Sequence, residues 1–114
     1  MNADECYESA TKYCACVEFR PNENTSCGFS VGQLIAYTLE PNPAAGVNKD
    51  IPQKLAIVFS TADVVILGRH LDPLTHRLRD NNLAIVRAQP GCGGKLEPND
   101  VFVASIAITP IEKK

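Results

Sequence analysis

Residues 54–87 read KLAIVFSTADVVILGRHLDPLTHRLRDNNLAIVR, and the class of fold turns on them. Leu55, Ile57 and Phe59 alternate with Ala56 and Val58, the two-residue period of a strand. Both sets are apolar, which points to a central strand covered on both faces. Ser60-Thr61-Ala62-Asp63 is a small polar break before a second β-branched run, Val64 to Leu67. Either one strand bends there or a tight hairpin turns there. A single run of this length exceeds the ~5–6 residues usual for a strand, so the hairpin is the better reading. Gly68 reads as the stop of the second strand.

A helix is expected next, over about 72–80. Asp72 can cap its free amides, and Pro73 stands where a missing N–H costs nothing. Leu71, Leu74 and Leu78 fall at i, i+3 and i+7, a narrow apolar stripe. Arg77 and Arg79 suit the negative end of the helix dipole. Asp80-Asn81-Asn82 closes it, with either Asn able to take the left-handed conformation. Leu83 to Ala88 fits a short strand and a helical turn equally.

Outward from this centre the pattern is thinner. Asp4 to Lys12 reads as a short helical turn. Tyr13 to Arg20 alternates as a strand, with Tyr13, Ala15, Val17 and Phe19 on one face. Pro21 to Ser26 is a loop by composition. Ser30-Val31-Gly32-Gln33 has the form of a capping box. A single turn there feeding a strand from Leu34 to Glu40 competes with one helix over residues 31–39. Residues 41–52 and 89–100, rich in Pro and Gly, are loops. Val101 to Thr109 is the last strand, with Phe102, Ala104, Ile106 and Ile108 as its better core face.

The expected class is α+β: a single domain over residues 1–114, a mostly antiparallel β-sheet, and one principal helix packed on one face. One such helix shields one face only. A second copy of the chain is the simplest cover for the other, so a homodimer is expected.

Composition narrows the function. A net charge of −2, from 11 basic and 13 acidic residues, lacks the basic face of a nucleic-acid binder. No run approaches the ~18 apolar residues of a membrane span. The N-terminus MNADECYESA is acidic and unlike an export signal, so a cytoplasmic location is expected. The five cysteines then read as free thiols rather than a disulfide framework. Asn24-Thr25-Ser26 matches a glycosylation sequon, which is of use only to a secreted protein.

The segments QLIAYTLEPNP (33–43), STADVVILGRHLDPL (60–74) and VFVASIAITPI (101–111) resemble parts of small uncharacterised bacterial proteins, including ones carried on mobile gene cassettes. The resemblance covers about a third of the chain. It implies no reaction, cofactor or catalytic residue.

No motif names a chemistry. Cys14 and Cys16 share a strand face, and Cys6, Cys27 or Cys92 could complete a zinc tetrahedron, but C-x-C without a second ligand pair favours packed thiols, and no metal is expected. Pro90 to Lys95 has the glycines of a phosphate loop but Gln89 and Leu96 at two of its required positions, so it reads as a turn. His70 and His76 lie six apart and do not share a helix face. The sharpest candidate is a small polar pocket where the strand meets the helix. Asp63, Arg69, His70 and Asp72, with the amides of the helix start, would bind a small anion there. The leading expectation is nevertheless a non-catalytic interaction or adaptor protein that acts as a homo-oligomer and needs no cofactor. Its partners are then itself and an unidentified protein. The anion-binding protein or minor enzyme is the rival.

Overall fold

A computed structural model of the chain describes residues 6–9, 15–42, 51–89 and 101–111. Among these residues eight strands and one α-helix follow in the order β1 (Tyr7–Ser9), β2 (Cys16–Asn22), β3 (Thr25–Ser30), β4 (Leu34–Pro41), β5 (Gln53–Phe59), β6 (Ala62–Arg69), α1 (Asp72–Arg79), β7 (Leu83–Arg87) and β8 (Phe102–Pro110). They form two four-stranded sheets, β1-β7-β2-β3 and β4-β5-β6-β8. The class is α+β with mostly antiparallel strands. Among the described residues only β2 and β7 run parallel.

Local chemistry explains most elements. The hairpin at Ser60-Thr61 is present, and β5 and β6 pair through Ile57–Val64 and Leu55–Ile66. Leu55, Ile57, Phe59, Val64 and Ile66 are fully buried. Val31–Gln33 forms one 3-10 turn, capped where the Ser30 hydroxyl accepts from the Gly32 N–H at 3.3 Å, and β4 follows. The all-helical alternative for residues 31–39 falls, because Tyr37 and Leu39 pair opposite Ile57 and Leu55 and pack against the core. Residues 83–87 are a strand, drawn out by parallel pairing to β2.

Several expectations are corrected. Pro21 to Ser26 is not a loop: the strands run on to Asn22 and restart at Thr25, around a two-residue turn at Glu23-Asn24. The Asn22 side chain makes this possible by accepting from the Asn24 N–H at 2.8 Å, so a polar residue shapes the turn within a hairpin. Tyr7 to Ser9 is a strand, not part of a helical turn, because β7 offers it an edge. Residues 4, 5 and 10–12, Tyr13 and Cys14, most of the 41–52 loop and residues 90–100 lie outside the described residues. Gly68 does not stop β6, which continues to Arg69. Its role is proximity: a Cβ there would stand 1.9 Å from the Phe102 carbonyl oxygen. Asp72 is not the cap of α1. Leu71 occupies that position without a side-chain bond, and Asp72 is the first helical residue. In β8 the expected alternation is broken by a bulge opposite Gly68, so Val103 is buried as well as Phe102 and Ile106.

The largest correction concerns the core. The helix is not the principal shield of the apolar β5–β6 face; the second sheet is. Phe29 on β3 stacks on Phe59 at 4.6 Å between ring centroids, and Phe19 on β2 meets Phe59 edge-on at 6.1 Å. Leu71, Leu74 and Leu78 join the same cluster, as the i, i+3, i+7 stripe expects. The helix touches both β4 and β7, so it bridges the two sheets. Each large side chain buried here contributes about 1.5–3 kcal/mol, and sheet against sheet buries more of them than one short helix does.

Candidate functional site

The junction between β6 and α1 is built from three successive residues. Arg69 ends β6 opposite Phe102, and its guanidinium carbon lies 5.2 Å from the centre of that ring. His70 turns the chain with φ of 53°. Non-glycine residues rarely adopt this region, although His is among those that do. Leu71 then donates its N–H to the Gln53 side-chain oxygen at 2.6 Å. Gln53 lies on β5 beside Gly68, so the neighbouring strand clamps the turn.

This clamp bears directly on the anion pocket expected there. Pro73 carries no N–H. Leu74 donates to the Leu71 carbonyl at 3.0 Å, and Leu71 donates to Gln53. Two of the amides that would cradle an anion are thus engaged and a third is missing. Asp72 is exposed in the same first turn and adds negative charge.

Arg69, His70 and Asp72 therefore stand together, by adjacency in the chain. Asp63 does not join them. It begins β6, opposite Val58 and Thr109, and six residues of strand separate it from Arg69 by about 20 Å. His76 is exposed on the helix.

The thiols are dispersed too. Cys6 is buried in the core, where its Sγ accepts from the Val103 N–H at 3.4 Å. Cys16 is exposed, on the side of β2 opposite to Val17, whereas Cys27 pairs with the inward Phe19. Cys16 and Cys27 thus point to opposite faces and cannot share an ion. Cys14 and Cys92 lie outside the described residues, and among the described residues no three His, Cys, Asp or Glu side chains cluster to hold a metal.

What sequence reasoning missed is the contrast between the two outer surfaces. Outside β1-β7-β2-β3, Glu8 pairs with Arg87 and Glu18 with Arg20, and Arg20 and Arg87 stand side by side in register. Outside β4-β5-β6-β8 the pairing lays down three rows. They are Glu40-Lys54-Leu67-Ser105, Thr38-Ala56-Val65-Ala107 and Ala36-Val58-Asp63-Thr109. The middle of this face is small and apolar, and its charges are at the ends. Ala56, Val58, Val65 and Leu67 are only half-buried. A bulge in β4 leaves Ile35, beside Ala36, 66% exposed. The apolar alternation was legible, but the register that gathers it into one face was not.

Comparison with models of known families, with curated proteins and with solved structures finds no match for this chain. Among the described residues no helix is long and apolar enough to cross a membrane.

Proposed function

We propose that this chain is a small, non-catalytic interaction protein that works in the cytoplasm as a homo-oligomer, in its simplest form a dimer. One observation carries the reading: the outer side of β4-β5-β6-β8 presents half-buried Ala56, Val58, Val65 and Leu67 to solvent, while the outer side of the other sheet is occupied by paired charges. Apolar surface gathered on one side of a small protein is a contact surface, for a second copy or for another protein. The free thiols of Cys16 and Cys27 suit a reducing compartment. No cofactor enters this reading, and the net charge of −2 sets nucleic acid aside as a partner. The likeness to gene-cassette proteins adds no further function.

Sedimentation velocity and light scattering at micromolar concentration test the proposal. A mass of twice the 12.3 kDa chain is expected. A monomer throughout the concentration range would remove the case for self-association.

A further inference from the structure

The sheet has a rim as well as a face, and the register tells which groups the rim offers. Among the described residues β8 is the end strand of β4-β5-β6-β8. Ile111 donates its N–H to the Thr61 carbonyl at 3.0 Å, and Asp63 and Val65 stand opposite Thr109 and Ala107. Antiparallel ladders alternate, so Ser105, Ala107 and Thr109 turn their main-chain groups toward β6. The N–H and C=O of Ile106 and Ile108 point the other way, to the open edge. The first part of that edge is closed: Val103 accepts from the Gln89 N–H at 2.9 Å and donates to Cys6 Sγ. Beyond the bulge no strand pairs with it among the described residues, and the strand carries no protection of its own: residues 101–111 contain no charge, and their one proline is Pro110, at the far end.

We infer that a second copy of this chain pairs its own β8 antiparallel with this edge, around a two-fold axis at Ala107. The inference rests on the self-association proposed above and specifies its route. Ile106 then lies opposite the partner's Ile108, and the reverse, for four main-chain hydrogen bonds. Ala107 meets the partner's Ala107 on the outer face, where a close pair of strands admits small side chains. Ser105 meets the partner's Thr109, a favourable cross-strand pair. Half-buried Ile108 gains cover on the inner side.

Size supports the same choice. Three rows on four strands span about 400 Å², roughly half of the ~800 Å² that each partner gives to a standard interface. Edge pairing joins two such faces into one eight-stranded surface of about 800 Å². The dimer would then carry a surface large enough to receive another protein.

Sedimentation equilibrium at high micromolar concentration, with far-UV circular dichroism to confirm folding, tests this on the full chain. Ala107 is exposed, so Ala107→Lys and Ala107→Glu fold. Each is expected to be monomeric, since like charges meet on the axis, and an equimolar mixture to regain the dimer. Val65→Lys, one strand away on the same face, is expected to remain dimeric. In hydrogen exchange, the Ile106 and Ile108 amides slow by about tenfold or more as concentration rises. If Val65→Lys is monomeric while both Ala107 variants dimerise, face-to-face packing replaces edge pairing and self-association stands. If the wild-type chain is itself monomeric, the inference and the proposal beneath it fall together.

Discussion

Gly68→Ala probes a close backbone contact between β6 and β8. Gly68 is buried in β6, opposite the bulge of β8, and its φ is not positive. Alanine therefore meets no conformational barrier, only a steric one. The new Cβ would lie 1.9 Å from the Phe102 carbonyl oxygen, 3.0 Å from its carbon and 3.2 Å from Val103 Cα. Restoring even a tight 3.0 Å contact needs a movement of about 1.1 Å. The obstacle is main chain and cannot rotate away, so β8 must shift. That shift disturbs Arg69 over the Phe102 ring and the bonds of Val103 to Gln89 and Cys6. Overpacking of this kind costs about 1–3 kcal/mol or more, against a gain of about 0.4–1 kcal/mol from a stiffer unfolded chain. A net loss of about 2 kcal/mol is expected, which lowers Tm by roughly 10 °C for a domain of this size. Gly28→Ala is the control, since its Cβ would lie 4.0 Å from the Val17 oxygen, an ordinary contact. Thermal and urea denaturation followed by circular dichroism give both values. A Gly68→Ala protein melting within about 2 °C of wild type, or losing no more than Gly28→Ala, would refute the reasoning.

Gln53→Leu removes the acceptor of the Leu71 N–H and is expected to cost about 1–3 kcal/mol in urea melts, since that amide loses its partner at a half-buried junction. His70→Gly should leave Tm level or higher, because φ of 53° suits glycine, whereas His70→Val should lose about 1–3 kcal/mol; equal effects of the two would show that the turn imposes no strain. For Glu8 and Arg87, whose side chains are 23% and 19% exposed, a double-mutant cycle with Gln at each position should give a coupling of about 0.5–1 kcal/mol that shrinks in high salt. Phe59→Ala removes the ring shared by Phe19 and Phe29 and should cost about 3–5 kcal/mol; a loss under about 1 kcal/mol would mean that the sheets do not meet there.

At the expected anion pocket, adjacency in sequence leaves out the register of the neighbouring strand. Arg69, His70 and Asp72 are neighbours whatever the fold, and a helix start beside them suggested free amides. One of those amides, that of Leu71, is engaged by Gln53, a residue eighteen positions before it, and no local pattern announces such a bond. Asp63 lies near the start of the strand that Arg69 ends, and an extended chain carries its ends apart.

Local signals did determine the β5–β6 hairpin, the helix with its three leucines, the 3-10 turn entering β4 and the final strand. In each, the stabilising contacts lie within a few residues, or the period of the apolar side chains records which face is inside. The hairpin of β2 and β3, the strand character of β1 and β7, and the division of the strands into two sheets were settled only in three dimensions. Strand pairing satisfies main-chain groups that every residue carries alike, so partner and register leave little trace in side-chain identity. The same reason separates the two readings of Gly68: in sequence it is a residue that ends strands, and in the folded protein it is the place where two strands come too close for any other.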